Sequence, residues 1–344
     1  MARLHSEHRT VSTTGLLILV LTFALPSLAG AQSGTSGRDV AASVEALATR
    51  SAEPAISGSV AQAAASTAVA QNSQDQADRA PSLFENLRLF VGLDGSKQPQ
   101  DLGINANMGV RLAVNAGVPL VRSHGVGVQV GAALNLSDAA VHVLDQVSST
   151  SRRTQTFATI GVFQQRSAFG WALAYDHLHE RYFDTFTLAQ IRGEVSARVS
   201  GHDELGSGFT GPIRHATAMA PGAAVRLDPI GQLTGFERHE WASGAVTTIW
   251  AGAASRHHNV VLVFDDNSED RHVVVYGARL DLPLNERLRI TGSGNFLTPT
   301  ATGTVDAYLG VTYSPHRRSS PSRSSFAPPI EVTNNPEFPV DLRR

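Results

Sequence analysis

The sequence predicts an all-β protein, an antiparallel up-and-down transmembrane β-barrel of about 12 strands, on three observations. Between residues 83 and 314 apolar and polar side chains alternate with a period of two, the spacing that sends successive side chains to opposite faces of a strand. The alternating segments are long enough to cross a bilayer as tilted strands, which takes about 9–11 residues. They number twelve, and short connections alternate with longer ones, the organisation of an even-stranded outer-membrane barrel with turns at one end and loops at the other.

Residues 1–31 read as a signal peptide. Arg3 and Arg9 precede an apolar run at 15–28, and Ala29-Gly30-Ala31 supplies a small-x-small cleavage pattern that leaves Gln32 as the new first residue. Residues 32–82 are rich in Ala, Ser and Gln; such a stretch buries too little apolar surface to offset its ordering entropy and reads as a disordered linker. No later segment is apolar over 18 residues, so no transmembrane helix is expected in the mature chain.

The first strand is expected at 85–94 and the second at 104–116, where Met108, Val110, Leu112 and Val114 oppose Asn107, Arg111 and Asn115. The third, 124–136, sets Val126, Val128, Val130 and Leu134 against Gly127, Gln129 and Asn135. The fourth and fifth follow at 154–163 and 168–178. The sixth, 185–199, decides the matter, because Gln190, Arg192, Glu194 and Arg198 share one face. A dry β-sandwich core is the alternative home for such alternation, yet each unpaired charge buried there costs about several kcal/mol. Strands at 203–213, 223–238 and 243–255 come next, but 207–236 is poorly periodic, which leaves the count open between 10 and 14. The last three, 271–281, 286–297 and 303–314, alternate clearly. Phe163, Phe169, Trp241 and Tyr313 fall near the short-turn ends and are expected in an interfacial girdle. Residues 315–344, rich in Ser, Pro and Arg, read as a second disordered, solvated tail.

Four blocks carry a resemblance: LFENLRLFVGLDGSKQPQDLG at 83–103, LAQIRGEV at 188–195, TGTVDAYLG at 302–310 and FPVDLR at 338–343. They resemble a family of uncharacterised exported planctomycete proteins predicted to form outer-membrane β-barrels. The resemblance implies location and fold, with no activity, ligand or site to carry over.

Composition excludes several functions. With no Cys, a disulfide scaffold, a thiolate metal site and a cysteine nucleophile are ruled out. A net charge of −2 argues against a nucleic-acid partner, which needs a concentrated basic excess. His177 and His179, two apart on a strand, could share a metal ion with Glu180, but no third ligand is set by spacing, and no metal or other cofactor is expected. No G-x-S-x-G stands in the chain, so an enzyme is not expected. What remains is a polar inner face whose candidate pore-lining residues are Arg111, Gln129, Arg192, Glu194, Arg198, Arg226, Asp228, Arg279, Asp281, Arg287, Arg289 and Asp306. Arg outnumbers acid among them, which suits small anions. The expected function is a narrow passive channel in the outer membrane of a diderm bacterium, with lipid around it and small polar or anionic solutes within. The alternative is a non-conducting structural or surface-interaction barrel whose charges pair across the lumen.

Overall fold

The protein is described here by a computed structural model covering residues 86–98, 106–139, 152–220, 223–255, 257–261, 266–270, 273–298, 304–315 and 327–343. The expected signal peptide and Ala/Ser/Gln-rich linker lie outside the described residues.

Seventeen strands form two sheets among the described residues. Twelve close into an antiparallel barrel: β1 (Arg88–Lys97), β2 (Asn107–Val121), β3 (Val126–Ala139), β4 (Arg152–Gln165), β5 (Phe169–Arg181), β6 (Thr185–Arg198), β7 (Asp203–Arg214), β10 (Gln232–Glu240), β11 (Val246–Ala254), β14 (Val273–Pro283), β15 (Leu288–Thr298) and β16 (Thr304–Tyr313). The last strand seals against the first, with Leu89 opposite Tyr313 and Lys97 opposite Val305. Closure matters physically because it pairs every edge N–H and C=O that an open sheet would leave exposed.

The other five strands are β8 (Ala216–Ala220), β9 (Ala223–Pro229), β12 (His257–Val261), β13 (Asp266–Asp270) and β17 (Val340–Arg343), in the order β13-β12-β17-β9-β8. Four of them come from the long connections between β7 and β10 and between β11 and β14. This sheet accounts for the poorly periodic stretch. The expected strand at 223–238 is broken at Pro229, Ile230 and Gly231, so that 223–229 joins the second sheet and only 232–240 joins the barrel. Val225 and Leu227 of β9, Ala218 and Ala220 of β8, and Val340 and Leu342 of β17 form one core with Phe186 and Leu188 of the barrel wall. The second sheet therefore covers the long-loop end of the lumen. The β5–β6 loop ties into it: Asp184 accepts from the backbone N–H of Met219 at 2.8 Å and of Thr185 at 2.7 Å, which holds its carboxyl below the usual range.

The barrel is polar inside and apolar outside. Asp176, Glu180 and Asp306 are completely buried on the inner face, while Ile160 and Leu309 on the outer face are 60% and 59% exposed. Phe169, Trp241 and Tyr313 are exposed at the short-turn end as the girdle requires, but Phe163 faces the lumen and is fully buried. Odd-numbered residues of β4 point inward, and parity placed Phe163 on the same face as Arg153 and Gln155.

Short turns join β2 to β3 and β4 to β5 at this end. Gly125 takes φ +66°, donates to the Arg122 carbonyl at 3.2 Å, and accepts from the Gln165 N–H at 2.9 Å. A side chain there would place Cβ 2.1 Å from the Gln165 carbonyl oxygen. Gly125→Val is expected to lower barrel stability by about 1–3 kcal/mol, seen as a lower temperature for loss of the fast-migrating folded band on gels.

Candidate functional site

Residues 327–343, expected as a solvated tail, instead run along the lumen from the short-turn end to the second sheet, where they end as β17. Ile330 packs on Phe163, Ala172 and Ala174 near the short turns. Val332 lies over Gly131, where a Cβ would sit 2.6 Å from its own Cβ, and Phe338 meets Phe157 with ring centroids 6.3 Å apart. Val340 to Arg343 then pair antiparallel with β9, from Val340 opposite Pro229 to Arg343 opposite Arg226.

The segment's backbone explains why the wall is polar. Pro328, Pro329, Pro336 and Pro339 have no N–H to donate and deny the segment a regular ladder, so its buried carbonyls need partners from elsewhere. Wall side chains supply them. Arg192 donates to the Glu331 carbonyl at 2.6 Å, Arg111 to Thr333 at 3.0 Å, Gln98 to Asn335 at 3.3 Å, Asn295 to Pro336 at 2.9 Å and Gln190 to Glu337 at 2.8 Å. In return the Thr333 N–H donates to Thr159 Oγ1 at 3.0 Å and the Val340 N–H to Gln98 Oε1 at 3.1 Å. The one helical turn, Asn335–Glu337, is capped by Asn334, whose side chain accepts from the Glu337 N–H at 3.0 Å.

Side chains of the segment complete three charged clusters. At the short-turn end Glu331 pairs with Arg88 at 2.6 Å and with Arg279 at 2.8 Å. Midway, Arg192 bridges Asp176, at 3.0 Å, and Glu337. Towards the long loops, Asn335 donates to Asp94 at 2.8 Å and accepts from Gln155 at 2.9 Å, while Gln155 also donates to Glu180 at 2.9 Å. Behind it the Arg153–Glu180 pair closes at 2.8 Å with both side chains wholly buried.

Of the twelve residues expected to line the lumen, Arg111, Gln129, Arg192, Glu194, Arg279, Asp281, Arg289 and Asp306 stand on its inner face, and Arg198 stands at its short-turn rim. Gln129 is buried without a hydrogen-bond partner among the described residues. Arg226 and Asp228 are a correction: they lie on β9 of the second sheet and bond each other at 2.9 Å, because the chain leaves the barrel at that strand. Arg287 is another, lying exposed in the β14–β15 turn. His177 and His179 share the outer face of β5, and the nearest carboxylates in sequence, Asp176 and Glu180, point to the lumen. His179 Nδ1 is 3.2 Å from the Thr187 hydroxyl, and no cluster of three metal-binding side chains occurs among the described residues. His257, His258, Asp265, Asp266, Glu269 and Asp270, a second group of metal-ligating residue types in the sequence, have side chains outside the described residues.

The sequence reading missed Asp94, Arg153, Asp176, Glu180, Arg238, Glu331 and Glu337. The signal for three of these was parity, since Arg153 shares one face of β4 with Gln155, and Asp176 and Glu180 share one face of β5. No local signal marks Glu331 or Glu337.

The segment fills only part of the lumen. Between it and the wall formed by β6, β7, β10, β11, β14 and β15 lies a cavity of about 270 Å³ that reaches the short-turn end at Gly201 and His202. Its charges are largely paired: Arg238 with Glu204 at 3.0 Å and Glu194 at 3.1 Å, and Arg279 with Asp281 at 2.9 Å. Arg289, also lining it, has no hydrogen-bonded acid among the described residues.

A family described as "Family of unknown function (DUF6666)" matches residues 86–340. No protein of curated function matches in sequence. Among solved structures, a KdgM porin is similar at 10% identity over 66% of this chain and 99% of its own, with a TM-score of 0.39. Outer membrane phospholipase A from Escherichia coli is similar at 8% identity over 68% and 98%, TM-score 0.38. The translocator domain of the autotransporter NalP from Neisseria meningitidis is similar at 10% identity over 73% and 97%, TM-score 0.41.

Proposed function

The chain belongs to the family of unknown function DUF6666, so an activity has to be argued from its own geometry, and we propose that it is an outer-membrane barrel forming a narrow passive channel that its own residues 327–343 hold closed. One observation carries this reading: alongside the pairs that wall residues make with one another, five polar side chains of the wall donate to backbone carbonyls of the segment between Glu331 and Glu337. A barrel built only for stability has a simpler solution in apolar packing, which is as stable as buried ion pairs or more so. The outward apolar side chains suit lipid on all sides, and the apolar run at 15–28 suits export through a cleaved leader.

The test is planar-bilayer conductance of the detergent-folded chain beside a chain ending at residue 315. The full chain is expected to stay closed for most of the record. The shortened chain is expected to conduct in discrete steps, with time-averaged current at least tenfold higher. A shortened chain that inserts, migrates as a closed barrel and still never conducts would overturn the channel reading in favour of a structural barrel. That second reading has its own support in the Arg153–Glu180 pair, which ties wall to wall without touching the inner segment.

A further inference from the structure

The Glu331 carboxylate sits in a site built from guanidinium groups on three strands. Arg88 opens β1, Arg279 is on β14 and Arg289 on β15. Arg88 and Arg279 each donate to a different oxygen of the same carboxylate, Arg88 to Oε1 at 2.6 Å and Arg279 to Oε2 at 2.8 Å. Two guanidiniums gripping one carboxylate from both sides is the geometry that selects carboxylates among small solutes. Arg289 adds a third positive charge facing both Glu331 and Arg88, and it has no hydrogen-bonded acid among the described residues. Asp281 and Glu240 also face Arg289, but Asp281 is committed to Arg279 at 2.9 Å and to the Thr291 hydroxyl at 2.8 Å. All three arginines line the 270 Å³ cavity that reaches the short-turn end.

We infer that this is a binding site for small carboxylate solutes entering from the short-turn end, and that Glu331 is its resident stand-in, so that such a solute competes with the inner segment for Arg88 and Arg279. The site is partly furnished without displacing anything, because Arg289 and the adjoining cavity are open to a solute carboxylate. Full occupancy by a dicarboxylate requires Glu331 to yield, which loosens residues 327–332 from the wall. Binding and opening are then linked in the way that any ligand favouring one of two states shifts the balance towards it. The inference deepens the channel reading and rests on it for the consequence of binding, but binding itself is measured without conductance.

The experiment is calorimetric titration of the detergent-folded full-length chain with succinate, and with mannitol as a neutral solute of similar size. Succinate is expected to bind and mannitol not. Glu331→Gln, which removes the competing charge, is expected to tighten succinate at least tenfold. Arg289→Gln, which breaks no ion pair, is expected to weaken it at least tenfold in the same background. Equal affinities of the parent and Glu331→Gln chains would overturn the competition, and an Arg289→Gln chain that binds as the parent does would overturn the site. Mannitol binding as tightly as succinate would overturn the assignment to carboxylates. If the shortened chain of the preceding section fails to conduct while these affinities shift as expected, the channel reading fails and the site stands.

Discussion

Phe338→Ala is expected to free the inner segment while leaving the barrel standing. Phe338 has no solvent exposure and packs with Phe157, Leu178, Leu188, Leu227 and Leu342, the core that joins the segment to both the wall and the second sheet. Truncating a buried Phe to Ala costs about 3–5 kcal/mol, part lost transfer energy and part unfilled cavity. No barrel strand carries Phe338, so this loss falls on docking of the segment and raises the undocked population on the order of a hundredfold or more. Limited proteolysis of the folded protein reads the result directly: cleavage within 327–343 should quicken by that factor while the barrel band keeps its heat-shifted migration. Phe157→Ala removes the same ring contact from the wall side and should lower the barrel's melting temperature as well. A Phe338→Ala chain whose C-terminal segment resists protease as the parent does would show that the polar contacts alone hold it.

The second large effect is at Arg153. Its guanidinium contacts Glu180 through Nε at 2.8 Å and Nη2 at 3.2 Å, reaches the Ser96 hydroxyl at 2.9 Å and lies 5.8 Å from the Tyr182 ring centroid. Arg153→Met leaves the Glu180 carboxylate buried with only Gln155 donating to it among the bonds resolved here. Removing one partner of a buried pair costs about 3–5 kcal/mol, whereas replacing both by apolar side chains is often neutral. The single variant should therefore unfold at much lower denaturant, and Arg153→Met with Glu180→Leu should regain most of the loss. Chemical denaturation followed by tryptophan fluorescence separates the two. A double variant as unstable as the single would mean that the pair's charge is not what the wall depends on.

These two residues mark the limits of what could be seen from the sequence. Arg153 was visible in principle, since alternation along β4 sets it on one face with Gln155 and Thr159, but Phe157 and Phe163 on the same face blurred the polar row. Phe338 was not, because nothing within several residues of it repeats. FPVDLR resembles a block of an exported barrel family, yet its alternation over only four residues, β17, is too short to announce a strand. The expected strand at 223–238 failed for a related reason. Arg226 and Asp228 alternate correctly, but alternation states which residues share a face and not which sheet the face belongs to; the break at Pro229 to Gly231 carries the chain from the second sheet back into the barrel.

The antiparallel barrel and the polarity of each face were determined by the sequence alone, because period-two alternation is written in neighbouring residues and an even run of such strands has one economical way to satisfy its edges, whereas the strand count, open between 10 and 14 because of the poorly periodic stretch 207–236, was fixed at twelve by the pairing of the folded strands. What fills the barrel was decided only by tertiary structure. A row of Arg, Gln and Asn reads the same whether it faces water or a chain, and the groups that answer it stand far away in sequence: Thr333 lies 222 residues from Arg111, and Glu337 lies 145 residues from Arg192. Only folding brings those partners together, and it turns a face that reads as an open pore into one that grips the chain's own C-terminal segment.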